Sequence, residues 1–139
     1  MLKEAIYHQP YGSYAYPTGH DRLFIQLKAK KDDLENVYLF FDGRFRDWEN
    51  NSARYSIELE KYSSDQLFDY FKGEIEYRKK RFKYFFLLDD GTNNLYYSHY
   101  GFTGEEPHPK ACFEYKYICE QDYFDTPDWV KNAVFYEIF

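Results

Sequence analysis

Two cysteines, four histidines and one run of bases are the side chains from which this sequence could assemble a reactive or ligand-holding centre. Cys112 and Cys119 are seven residues apart on a stretch that alternates like a strand. They therefore point to opposite faces about 23 Å apart, beyond disulfide reach unless the chain bends. His8, His20, His99 and His108 are scattered, without the close pairs that zinc sites use, so no metal site is expected from them. Arg78-Lys79-Lys80-Arg81-Phe82-Lys83 interleaves bases with an aromatic ring as a phosphate-contacting segment does. It falls between two strand-like segments, however, where a short charge run is simply solvated. The net charge of -6 also opposes a sequence-independent nucleic-acid binder, which needs positive potential to displace counterions. No cofactor is expected.

The chemistry that remains is contact by aromatic rings. Among 139 residues there are 17 Tyr and 14 Phe, an aromatic share of 24%. Such residues suit pleated, half-buried surfaces and argue for an all-β fold. One domain accommodates this length. The mean hydropathy is strongly negative and no window approaches eighteen apolar residues, so a membrane-spanning helix is not expected. Met1 to Ile6 lacks the apolar core of a secretory signal, and the expected location is the cytoplasm.

Period-two alternation recurs along the chain. Leu23, Ile25, Leu27 and Ala29 face one way against Gln26, Lys28 and Lys30, which predicts a half-buried strand. Val37, Leu39 and Phe41 form the apolar row of a second strand after the turn at Lys31-Asp32-Asp33. Residues 54–61 read as a third, with Tyr55, Ile57 and Leu59 inward and Ser56, Glu58 and Glu60 outward. Residues 67–78 fit both periods. Leu67, Phe71 and Ile75 have helical spacing, but Gly73 weakens a helix interior and the charges alternate, so a strand is predicted. Residues 82–88 form a densely aromatic central strand that turns at 89–94 into a hairpin partner, 95–98. After an irregular stretch at 101–109, residues 111–118 alternate again. With short stretches near Ile6 and at 14–16, the expectation is an antiparallel β-sandwich of about eight strands.

The last residues break this pattern. Ala133 to Ile138 combine β-branched and aromatic side chains with almost no polar interruption, as in a strand buried on both faces of a barrel or parallel sheet. Pro127-Asp128-Trp129-Val130-Lys131-Asn132-Ala133-Val134-Phe135-Tyr136-Glu137-Ile138-Phe139 resembles the entry to the catalytic barrel in the neopullulanase, cyclomaltodextrinase and maltogenic amylase group of the α-amylase family. Upstream, Ala5-Ile6-Tyr7-His8, Tyr14-Ala15-Tyr16-Pro17, the strand from Arg22 to Lys30 and Arg81-Phe82-Lys83-Tyr84-Phe85-Phe86 look like that group's N-terminal immunoglobulin-like domain.

The resemblance implies a starch-type carbohydrate-binding β-sandwich at 1–124, followed at 125–139 by a linker and the first strand of a (β/α)8 glycoside hydrolase barrel. No catalytic residues are expected within the chain, because a retaining glycosidase needs two carboxylates about 5 Å apart on loops after later barrel strands. Two roles follow. In one, the domain binds maltooligosaccharide, cyclodextrin or pullulan, with rings stacking on glucose faces. Trp48 is the leading contact, in a polar loop between Asp47 and Glu49, with Phe45 beside it and Tyr96, Tyr97 and Tyr100 on or after the hairpin. In the other, the domain pairs two enzymes as a homodimer and covers the partner's active site, setting substrate size. Some relatives hold calcium. The acidic turn Asp89-Asp90-Gly91-Thr92-Asn93-Asn94 suggests such a site, but hairpin turns use the same residues for backbone reasons, and no bound calcium is expected.

Overall fold

The structure, a computed structural model, describes residues 1–46, 48, 54–123 and 126–138. Among the described residues, ten strands lie in two antiparallel sheets. The first sheet runs β1 (Ala15–Gly19), β2 (Arg22–Lys30), β6 (Phe68–Glu76), β5 (Glu60–Ser64). The second runs β4 (Tyr55–Glu58), β3 (Asn36–Gly43), β7 (Phe82–Asp89), β8 (Asn94–Ser98), β9 (Gly101–Thr103), and β10 (Phe113–Tyr115) pairs with β7 beyond the end of β8. The antiparallel sandwich expected from the alternation is therefore present, with ten strands among the described residues where about eight were expected, and it has the two-sheet form that the resemblance implied.

The alternation is also what fills it. Leu23, Ile25, Leu27 and Ala29 of β2 are fully buried and face Val37, Leu39 and Phe41 of β3 and Phe82, Tyr84, Phe86 and Leu88 of β7. Residues 68–76 form a strand, with Phe71 and Ile75 in the core, and β7 is the central strand. The basic run is the turn between β6 and β7, with Arg78, Lys79 and Arg81 exposed. Both cysteines are free thiols. Among the described residues no group of three or more His, Cys, Asp or Glu is placed to hold a metal, and no helix is long and apolar enough to cross a membrane.

Four expectations about the strands are corrected. Residues 54–61 are two strands in different sheets, because the chain crosses the sandwich edge at Leu59, whose N–H donates to the Val37 carbonyl at 2.8 Å. Leu59 drops into the core, whereas Tyr55 is 56% exposed. Gly101–Thr103, read as irregular, is a short edge strand. The alternating stretch 111–118 yields only the three-residue β10. Near Ile6 the backbone contributes a single bridge, Tyr7 to Lys28.

A buried imidazole ties the sheets together. His8 Nδ1 lies 2.7 Å from the Gln26 carbonyl on β2, and Nε2 lies 2.8 Å from the Tyr84 hydroxyl on β7. A carbonyl can only accept, so Nδ1–H donates to it and Nε2 accepts from Tyr84. Burial pushes the His8 pKa down to about 4.

After β10 the chain makes a short 3-10 turn at Asp128–Asn132. Residues 133–138 belong to no strand, and Val134, Phe135, Tyr136 and Ile138 are exposed. The expected boundary at 124/125 lies outside the described residues.

Candidate functional site

The loop that leaves β3 is built on Asp42, which is buried at 2% exposure. A buried carboxylate needs donors. It receives the Gly43 N–H at 2.6 Å, the Tyr77 hydroxyl at 3.1 Å and the Arg46 guanidinium. Tyr77 is pushed up to about 12 by burial and by that bond. Gly43 must stay small, since a Cβ there would lie 2.8 Å from the Tyr77 oxygen. Its carbonyl closes the loop, accepting from the Arg46 N–H at 3.1 Å and from the Trp48 indole N–H at 2.9 Å.

Trp48, expected to be exposed in its polar loop, is instead buried at 6% exposure. It packs with Phe85 and Cys112 in a small cluster on the outer face of the second sheet, flanked by Phe40 and Tyr96. The Arg54 guanidinium sits over its ring at 4.8 Å and donates to its carbonyl at 3.1 Å. With that face covered, Trp48 acts as the anchor of the loop. Asp47 and Glu49, its sequence neighbours, lie outside the described residues.

What the anchored loop presents is Phe45, 80% exposed, with the Arg44 guanidinium 5.5 Å from its ring. Arg44 is held in turn by Glu114 at 2.8 Å. Below the loop opens a cleft of about 570 Å³, lined by Phe45, Tyr55 and Tyr77 and by charged groups that include Arg46, Arg78 and Arg81. The chain departs from this end of the sandwich: the Ile118 N–H donates to the Lys80 carbonyl at 2.9 Å, and Tyr123 meets His20 ring to ring at 6.0 Å.

The tyrosines are not brought to the Phe45 loop as one set. Adjacent strand residues face opposite ways. Tyr96 accordingly joins the Trp48 cluster, its ring edge-on to Phe85, while Tyr97 turns inward and stacks on Phe102 at 4.6 Å. Tyr100 projects from the β8–β9 turn at 77% exposure, where Gly101 takes a φ of +105°. Tyr97 and Tyr100 instead line a second cleft of about 480 Å³ together with Tyr7, Gln9, Tyr11 and His99. None of those last four was singled out as a contact from sequence. The signal available was local: Gln9-Pro10-Tyr11-Gly12 sets a ring in a turn-forming context, which favours exposure.

Comparison with known proteins decides what kind of domain this is. The family described as alpha amylase, N-terminal ig-like domain, matches residues 1–119. The chain belongs to that family. This α-amylase N-terminal domain is 39% identical over 140 residues to neopullulanase 2 of Thermoactinomyces vulgaris, and 36% identical over 142 residues to a maltogenic alpha-amylase of Bacillus acidopullulyticus. All of the chain is covered in both comparisons, with 23% and 24% of those relatives' lengths. A solved cyclomaltodextrinase superposes with a TM-score of 0.87 at 34% identity, over 98% of this chain and 23% of that one. The α-amylase N-terminal domain therefore spans about a quarter of the relatives it matches.

Proposed function

We propose that this chain is the non-catalytic N-terminal domain of an α-glucan-cleaving glycoside hydrolase and that its Phe45 loop helps hold maltooligosaccharide, cyclodextrin or pullulan. Supporting this, the matched relatives are a neopullulanase, a maltogenic amylase and a cyclomaltodextrinase, each about four times as long. On this reading, 1–124 is the sandwich, 125–139 enters the catalytic barrel, cleavage is carried by residues after Phe139, and the enzyme works in the cytoplasm.

The observation that carries the reading is the presentation of Phe45. An apolar ring left 80% exposed on a loop clamped by a buried Trp and a buried Asp, and sharing a cleft with Tyr55 and Tyr77, is available to touch something outside the domain. Stacking on the apolar face of a glucose unit is one use of such a ring.

A second reading keeps the loop and changes its target. The cleft beside Phe45 is lined by Arg44, Arg46, Arg78, Lys79 and Arg81 as well as Asp42 and Glu76, which suits a protein surface better than a neutral sugar. There the domain pairs two enzymes and covers the partner's active site.

Amide shifts of the 139-residue chain, titrated with maltoheptaose and with β-cyclodextrin, test the first reading. Movement at residues 43–46 and 48 that disappears in Phe45→Ala supports it, and a flat response there at millimolar ligand overturns it. For the second, removing residues 1–124 from the full-length enzyme should turn a dimer into a monomer on sedimentation and relax selection of substrate size. An unchanged oligomer counts against pairing.

A further inference from the structure

The second cleft is distinguished by what does not line it. In a chain of which 30% is charged, the eleven described residues that line it include no carboxylate, ammonium or guanidinium group, whereas the described lining of the cleft beside Phe45 carries all three, with four guanidinium groups. Its walls come from two distant segments. Tyr7, Gln9 and Tyr11 stand on one side, and His99 and Tyr100 stand on the other. Tyr11 is 64% exposed and Tyr100 77%.

Both walls are held by the fold. The Tyr7 hydroxyl donates to the Gln9 side-chain oxygen at 2.8 Å, which orients that amide and leaves its NH2 to donate elsewhere. The Tyr7 backbone is hydrogen-bonded in both directions to Lys28, at 2.8 and 3.0 Å. Opposite, the His99 N–H donates to the Ala111 carbonyl at 2.9 Å, and the Ser98 hydroxyl to the Gly101 carbonyl at 3.3 Å. The His99 ring rests against Tyr100 and Phe113. The floor includes His8, whose two nitrogens are both engaged within the core.

Exposed rings interspersed with hydroxyl, amide and imidazole groups, and no charge, match a neutral polyhydroxylated ligand. The nearest ammonium recorded against a wall, that of Lys28, lies 5.7 Å from the Tyr7 ring and is not among the described lining residues, so a charged ligand would find no counter-charge in the described lining itself. The cleft, about 480 Å³ and open to solvent, offers a surface for a ligand to lie against rather than an enclosing pocket. We propose that this cleft is a carbohydrate subsite separate from the Phe45 loop, taking a short run of α-linked glucose units against Tyr11 and Tyr100. The choice of α-glucan rests on the function proposed above, while the choice of a neutral sugar rests on the lining itself.

The test uses the 139-residue chain, maltoheptaose as ligand and cellohexaose as the β-linked control, read by amide shifts and calorimetry. Shifts at residues 7–11 and 98–101 that persist in Phe45→Ala are expected. Tyr11→Ala and Tyr100→Ala, both replacing exposed rings, should each weaken that binding about fivefold, the loss of one stacking contact. Shifts confined to the Phe45 loop overturn this subsite and leave the loop reading standing. Shifts confined to the tyrosine cleft do the reverse, and a flat titration removes both. An equal response to cellohexaose overturns the α-glucan assignment, and unchanged affinity in the Tyr11→Ala/Tyr100→Ala double variant overturns the site.

Discussion

The guanidinium of Arg54 lies 4.8 Å from the ring centroid of Trp48 and 5.7 Å from that of Phe85, with its terminal nitrogens donating to the Trp48 carbonyl and to Glu106. One side chain immediately before β4 thus secures the loop that leaves β3. Trp48→Ala should cost about 3 kcal/mol, the low end for deleting a packed Trp because this cluster sits on an outer sheet face. Arg54→Ala should cost about 1–2 kcal/mol, through the lost cation–π contact and the unpaired Trp48 carbonyl. Urea midpoints check both. Loss of stability in neither variant would mean the loop is held by something other than this pair.

His8 should make the domain acid-sensitive well above the carboxylate range. Its folded pKa is about 4 against an ordinary 6.5, so between those values the unfolded chain binds more protons than the folded one. The stabilisation is fully present above pH 6.5 and is lost as pH falls toward 4. The total is about 3 kcal/mol. Asp69 adds a later step. Burial alone would raise its pKa, but hydrogen bonds from Lys61, Ser64 and the Asp32 N–H outweigh that and hold it at about 2. Its contribution is present above the ordinary carboxylate value of 3.8 and is lost as pH falls toward 2. Urea midpoints between pH 7.5 and 3 should decline in that order. A midpoint that holds flat from pH 7 to pH 5 would contradict a neutral His8 in the core.

Much of the sandwich was legible because its strands obey one rule at a time. In β2 every second residue is apolar and every one of those is buried, so face and register follow from alternation alone. The crossing at Leu59 was hidden because Tyr55, Ile57 and Leu59 keep the same parity while the strand changes sheets. Alternation reports which face a residue takes but not which sheet it faces. Trp48 misled for a related reason. Polar sequence neighbours suggested exposure, whereas its burial depends on Arg54, Phe85 and Cys112, which come from elsewhere in the chain. The tyrosine cleft joins residues 7–11 to 97–101 through sheet pairing and core packing, and no local pattern announces such a meeting.

The crossing strand also sets a size limit on its neighbour. A Cβ on Gly73 of β6 would stand 2.4 Å from Leu59 Cδ2 and 2.9 Å from Ile57 Cδ1. Gly73→Ala should therefore destabilise by about 1–3 kcal/mol through overpacking. Pairing it with Leu59→Ala supplies the control. The double variant should be more stable than the sum of the two single losses, because each change relieves the other. Strict additivity would place the strain somewhere other than this contact.

Phe45 is the converse case, a large ring on which the fold does not depend. At 80% exposure, with the Arg44 guanidinium 5.5 Å from its ring, its removal should lower stability by no more than about 0.5 kcal/mol as read from the urea midpoint and leave the circular dichroism unchanged. Trp48→Phe differs in kind: it keeps a ring in the cluster but cannot donate to the Gly43 carbonyl, so the loop should loosen and stability should fall by about 1 kcal/mol. If Phe45 serves a sugar or a second subunit, Phe45→Ala loses that contact at full stability, and Trp48→Phe weakens it only in proportion to the loosened loop. A Phe45→Ala variant that lost more than about 1 kcal/mol would instead make the ring part of the domain's own packing, and a presented contact would no longer explain its exposure.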